Sequence, residues 1–160
     1  MADLMVTFRP VGMADGAPLA DLRAEAMRPS LERIGRFDAE RARARFLRSF
    51  SPEYTREIVV GGLRVGFFVL RPVSEGLLLD HLYIRPAHQS RGIGAAVLRT
   101  VFAEADALGA EVRVGALKDS DSNRFYVRHG FVLESHADFD NYYVRSPGAS
   151  PLARRRSGPC

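Results

Sequence analysis

Residues 77–96 read LLLDHLYIRPAHQSRGIGAA, and the rest of the chain is organised around this run. An apolar stretch ends at Arg85-Pro86. A short polar connection follows, Ala87-His88-Gln89-Ser90-Arg91, and Gly92-Ile93-Gly94 opens a segment of helical spacing. A strand, a glycine loop and a helix start present backbone N–H groups and the positive helix end to a phosphate. Glycine lets the backbone approach such a ligand because no Cβ intervenes. A glycine pair alone is a weak signal. Its place between an apolar strand and an amphipathic helix strengthens it considerably.

Two familiar phosphate motifs are absent. The only lysine, Lys118, lies far downstream, so no P-loop is present, and Val97 occupies the third position after Gly94 where a dinucleotide fingerprint needs glycine or alanine. What remains is Gln89, two residues, Gly92, one residue and Gly94. This resembles the pyrophosphate-binding motif of the GNAT superfamily of N-acetyltransferases, in which arginine or glutamine, glycine, and glycine or alanine stand at that spacing. The family's motif also follows a strand and opens a helix.

Working outward, Leu4 to Arg9 reads as a first strand bounded by Pro10, and Val11 to Gly16 as a loop in which Asp15 is a candidate helix cap. Leu19, Leu22, Arg23, Ala26 and Met27 follow a helical spacing that Pro29 is expected to break. Asp38 to Phe50 reads as a second helix with Phe46, Leu47 and Phe50 on one side. Its arginines 41, 43, 45 and 48 fit a solvated face or a basic rim for acidic ligands. Tyr54–Val60 and Leu63–Leu70 flank Gly61-Gly62 as a hairpin, Arg71–Gly76 is the next turn, and Leu77–Ile84 the next strand.

Beyond Gly94, the residues Ile93, Val97, Val101, Ala105 and Leu108 share one helix face, and Gly109 ends the helix. A strand at Glu111–Leu117, a helix at Ser120–His129 and strands at Phe131–Glu134 and Asn141–Arg145 complete the order β-α-α-β-β-β-α-β-α-β-β. The expected class is α+β. The order matches the GNAT fold, a mixed and mostly antiparallel sheet flanked by helices, over about residues 4–145. Residues 1–146 are read as a single domain, and 147–160, rich in Pro, Gly, Ser and Arg, as a disordered basic tail.

Composition narrows the partners. At 160 residues, 46% hydrophobic and 26% charged, the chain is the size and kind of one globular domain. No apolar run approaches the roughly 18 residues of a membrane span, and the N-terminus shows no signal-peptide pattern, so a cytoplasmic location without membrane contact is expected. The one cysteine, Cys160, allows no intrachain disulfide, zinc cluster or internal thiol nucleophile. Three of the 23 basic residues, Arg154, Arg155 and Arg156, fall in the acid-free tail, which leaves residues 1–145 with 20 basic against 19 acidic residues. Such a balance does not indicate a nucleic-acid-binding face.

Acyl transfer from a thioester to an amine needs a cradle for the cofactor, donors for the oxyanion and acid–base groups, with no metal. The amides of Gln89, Ser90, Arg91, Gly92, Ile93, Gly94 and Ala95 are the candidate cradle, with Arg91 placed to add a charge-assisted contact. The resemblance implies acetyl-CoA as co-substrate, the backbone of Leu82, Tyr83 and Ile84 pairing with its pantetheine arm, and an amide near Leu82 or Tyr83 at the thioester carbonyl. Ser120–Phe131, SDSNRFYVRHGF, is similar to a second family pattern, matched at Tyr126, Arg128, Gly130 and Phe131. The asparagine that often begins this pattern is Ser120 here. A pantetheine contact then falls to Ser120 or, displaced, to Asn123.

In the family's terms Tyr126 is the general acid for the departing thiolate; a buried core tyrosine is the alternative. Phe125 and Phe131 are assigned to the core. Asp80 and His81 interrupt an apolar strand with side chains on opposite faces and are the candidate general bases. His88, His129 and His136 are read as surface residues. Met27, Arg28, Arg36, Phe37, Tyr142 and Tyr143 are candidate walls for an acceptor. The expected activity is N-acetylation of a small-molecule amine rather than a protein by direct attack on acetyl-CoA. A longer acyl group is one rival, and a CoA-binding module without turnover is another. A homodimer through strand edges is compatible with the fold.

Overall fold

Both hairpin glycines are left-handed, with φ of 59° at Gly61 and 80° at Gly62, as a two-residue turn between twisted strands requires. The computed structural model describes residues 5–149 except 34, 36 and 37. Along these residues run β1 (Val6–Pro10), α1 (Gly16–Arg33), α2 (Ala39–Arg48), β2 (Thr55–Val60), β3 (Leu63–Val73), β4 (Gly76–Ile84), α3 (Ile93–Leu108), β5 (Glu111–Leu117), α4 (Ser122–Arg128), β6 (Val132–His136) and β7 (Asp140–Arg145). The order is the expected one. Leu4, Arg36, Phe37 and residues 150–160 lie outside the described residues.

The chain divides into two compact units, Met1–Leu70 with His81–Val97 and Arg71–Asp80 with Leu98–Cys160. In the first, strands neighbour one another in the order β1-β2-β3-β4, with β1–β2 and β2–β3 antiparallel. Leu19, Ala20 and Leu22 of α1 meet Phe46 of α2 and Phe67 and Val69 of β3 in a continuous core. The Phe46 ring stands edge-on to Phe67 at 5.4 Å. It is the one fully buried side chain of α2, so cutting it to alanine would cost about 3–5 kcal/mol and undock the helix. Asp38 caps α2 as expected, accepting the Arg41 N–H at 3.1 Å.

In the second unit the order is β4-β5-β7-β6. Gly76–Leu79 of β4 pair in parallel with Glu111–Val114 of β5, while β5–β7 and β7–β6 are antiparallel. One parallel pair among antiparallel ones makes the sheet mixed. Val112, Val114 and Ala116 alternate inward along β5, and Phe131 is fully buried.

Several boundaries differ from expectation. Helix α1 passes through Pro29 instead of stopping there. Proline removes one backbone bond at a cost of about 3 kcal/mol, and the Arg28–Glu32 pair at 2.6 Å bridges the turn around it. Pro10 belongs to β1, opposite Arg56; β1 is an edge strand, where a missing N–H is tolerated. Strand β3 reaches Val73, which leaves Ser74-Glu75 as the turn. Leu108 is 70% exposed, because the apolar face of α3 ends at Ala105, and Phe125 is half-buried.

Candidate active site

Strand β4 carries the first group of candidate residues. Its even and odd positions face opposite ways. Asp80 is exposed and its Oδ2 accepts from Arg71 Nε at 2.7 Å. His81 and Tyr83 share the other face with Phe67 and Phe46. The His81 ring lies 5.5 Å from Phe46 and 5.5 Å from Tyr83, and its Nδ1 is 3.3 Å from the Tyr83 hydroxyl. The two candidate bases are thus set apart. Asp80 lies in an ion pair with Arg71, whereas His81 sits among aromatic rings beside a hydroxyl.

The close approach of β3 fixes one edge of β4. A Cβ on Gly66 would collide with the Tyr83 carbonyl oxygen. The Arg85 N–H donates to the Val65 carbonyl at 2.8 Å. Among the described residues, parallel pairing of β4 with β5 ends at Leu79.

After Ile84 the chain makes a short 3-10 turn over Pro86–His88. The Gln89 side chain folds back, Nε2 donating to the Ile84 carbonyl at 2.9 Å, and its own N–H reaches the Pro86 carbonyl at 3.3 Å. Gln89 therefore braces the loop, and the donors offered to a ligand begin at Ser90. Ser90 (φ 63°) and Gly92 (φ 82°) are both left-handed. For serine this costs of order 1 kcal/mol, and such strain gathers where a loop is shaped for binding. Helix bonding resumes with Ala96 N–H to the Gly92 carbonyl. Among the described residues no acceptor meets the N–H groups of Ser90, Arg91, Gly92, Ile93, Gly94 or Ala95. These are six amide donors gathered at the start of one helix, where an anion is favoured by the helix dipole. Arg91 is exposed beside them. His88 is half-buried and its Nδ1 has no partner.

Strand β5 leads into the second group. Asn123 Nδ2 donates to the Leu117 carbonyl at 2.8 Å and the Ser120 carbonyl at 2.9 Å. Its Oδ1 accepts from Asn141 Nδ2 at 2.9 Å and the Tyr143 hydroxyl at 2.8 Å. Two donors and two acceptor sites are the whole capacity of the side chain. Asn123 is accordingly a structural hub, and the displaced pantetheine contact expected of it has no donor left in this arrangement. Ser120 Oγ donates to the Leu117 carbonyl at 2.8 Å.

Tyr126 is 5% exposed, its ring 5.3 Å from Phe131 and 6.3 Å from Tyr143. A shallow depression of about 420 Å³ is lined by Asn123, Arg124, Val127, Arg128 and Tyr143. Of the acceptor-wall candidates, Met27 is half-buried, Arg28 is exposed and paired with Glu32, Tyr142 is exposed and Tyr143 buried.

One charged residue passed over in the sequence is Arg23, 9% exposed among the apolar residues of α1. The available signal was an arginine at a core-facing position in an otherwise apolar helical spacing.

The profile of the family described as "Acetyltransferase (GNAT) domain" matches residues 54–133, half of the chain, and this protein belongs to that family. It is an acetyltransferase by family. Its fold is similar to that of the PaiA N-acetyltransferase of Thermoplasma acidophilum, solved in complex with coenzyme A. That likeness has a TM-score of 0.74 and 17% identity, covering 89% of this chain and 99% of that one. An acetyltransferase of Thermus thermophilus gives a TM-score of 0.71 at 24% identity, covering 91% and 99%. The ribosomal-protein-S18-alanine N-acetyltransferase of Escherichia coli gives 0.65 at 16%, covering 91% and 96%. No curated protein sequence matches the chain significantly. Among the described residues no helix is long and apolar enough to cross a membrane.

Proposed function

We propose that this protein transfers an acetyl group from acetyl-CoA to the primary amine of a small molecule in the cytoplasm. The observation that carries the reading is the run of unpartnered N–H groups from Ser90 to Ala95 at the start of α3, in a family of acetyltransferases. These donors hold the pyrophosphate, with Arg91 adding charge. The edge of Leu82–Ile84 away from β3 receives the pantetheine arm as an added strand, and an amide at Leu82 or Tyr83 meets the thioester oxygen.

His81 takes the ammonium proton, directly or through a water. The neutral amine attacks the thioester carbon, the C–N bond forms as the C–S bond breaks, and the thiolate leaves with a proton from Tyr126; the second proton lost by the amine nitrogen, passed through water, restores the Tyr126 hydroxyl. Asp80 is the weaker candidate for the base because Arg71 already holds its carboxylate.

Calorimetric titration with acetyl-CoA tests the reading first. Micromolar affinity, about −8 kcal/mol, is expected, followed by thiol release when amines are supplied. Loss of all acetyl-CoA binding would overturn both catalysis and a CoA-sensing role. Binding without release across an amine panel would leave the non-catalytic module as the reading.

A further inference from the structure

We propose that the acceptor carries a carboxylate beside its amine and that Arg23 receives it. The inference rests on the acetyl-transfer reading above and deepens it. Arginines as buried as Arg23 are paired with acids as a rule, because a charge taken out of water needs a counter-charge. Arg23 has none among the described residues. Its Nη1 donates to the Ala42 carbonyl at 3.2 Å, its Cζ lies 5.6 Å from the Tyr83 ring centre, and its Nε is buried without an acceptor.

Two less buried guanidiniums of this unit show what is missing. Arg64 holds Asp15 and Glu57, each at 2.6 Å, and Arg85 holds Glu25 at 2.6 Å. Glu25 is two residues from Arg23, yet it serves Arg85. The edge of Arg23 left over, Nε with Nη2, is the pair of parallel donors that a carboxylate accepts in bidentate fashion.

Tyr83 links this charge to the chemistry. Arg23 lies over its ring, and the His81 ring stands 5.5 Å from the same ring with Nδ1 near its hydroxyl. His81 and Tyr83 are half-buried, so this face of β4 reaches solvent. An amine delivered to His81 therefore has a cation within one small molecule's length, and a carboxylate there neutralises it. The substrate class is a small amino acid, and an amine lacking the carboxylate is a poorer acceptor.

The test compares each proteinogenic L-amino acid, β-alanine and γ-aminobutyrate with its own carboxamide, at saturating acetyl-CoA and with thiol release as readout. The best acid should exceed its carboxamide in kcat/KM by at least about tenfold, the worth of one charge-assisted hydrogen bond. Arg23→Met should bring that ratio near one while acetyl-CoA affinity is kept, and Arg23→Lys should keep part of the preference.

An arginine that only ties α1 to Ala42 lowers both rates together with the ratio unchanged, and that result overturns the proposal. So does a preference for carboxamides, or turnover of neither kind by a protein that binds acetyl-CoA. If acetyl-CoA itself does not bind, the transferase reading has failed, a different outcome from the loss of selectivity. Should Arg23→Met not fold, inhibition of the wild type by N-acetyl amino acids against N-acetyl amino amides reads the same contrast.

Discussion

Two strand-to-helix turns in this protein begin alike and end differently. The turn from β4 to α3 holds a left-handed serine, Ser90, and the turn from β5 to α4 holds a left-handed aspartate, Asp119. In the second, Asn123 reaches back to the Leu117 and Ser120 carbonyls and across to Asn141 and Tyr143, so its polar capacity is met inside the protein. In the first, Gln89 braces the loop from one side and the N–H groups from Ser90 onward meet no protein acceptor. What separates the two is the side chain at the turn: Asn123 spends its whole capacity tying β5 and β7 to α4, whereas Gln89 makes one bond, to the Ile84 carbonyl.

The largest test of this contrast is Tyr126, on the helix that follows the second turn. Tyr126→Phe should lower turnover by roughly 10²–10⁴ with little change in acetyl-CoA affinity if its hydroxyl is the acid. Full activity in steady-state assays would return Tyr126 to the core. Next, Gly94→Leu should weaken acetyl-CoA about a hundredfold by denying backbone approach, the loss of one to two charge-assisted bonds. Unchanged affinity by calorimetry would place the phosphates elsewhere.

Asn123→Ala should cost about 1–3 kcal/mol in urea unfolding, since it takes the acceptor from the Asn141 amide and the Tyr143 hydroxyl, while the Leu117 and Ser120 carbonyls keep other donors. A variant of normal stability with impaired acetyl-CoA binding would instead give Asn123 the ligand contact that the family pattern implies.

The smallest expected effect is at Asp106, which pairs with buried Arg145 at 2.9 Å and accepts the Gly148 N–H at 2.9 Å. The Arg145 hydrogen bond, then the Gly148 amide, hold its carboxyl below the ordinary range. A lowered carboxylate pKa stabilises the fold above the unfolded pKa, and the gain is lost as pH falls through the folded value. Asp106→Asn should therefore cost about 1–2 kcal/mol at pH 7, allowing for partial exposure. The two proteins should converge in thermal unfolding below about pH 4. A constant difference across pH would assign the cost to packing.

Elements with strong local rules were legible in the sequence. The Gly61-Gly62 hairpin, the Asp38 cap, the end of α3 at Gly109 and the strand Glu111–Leu117 all appear where short-range chemistry requires them. Proline was read too strictly at Pro29 and Pro10, because a helix already docked by Leu19 and Leu22 outlasts one lost bond and an edge strand needs no donor on its outer side. In the loop from Gln89 to Ala95, Gln89 spends its side chain on the Ile84 carbonyl, while the N–H groups from Ser90 onward meet no acceptor among the described residues. The separation of Asp80 from His81 followed from strand alternation, but which one was bound in an ion pair depended on Arg71, across a turn.

By itself the sequence determined the family and the order of elements, because a glycine motif, hydrophobic periods and turn residues act over a few positions along the chain. Only the tertiary structure decided that Asn123 is fully engaged, that Asp80 is held by Arg71 and that Arg23 is buried without an acid. Each of those facts involves a partner 9 to 20 residues away. A side chain's remaining hydrogen-bonding capacity and charge are known only once all its neighbours are in place.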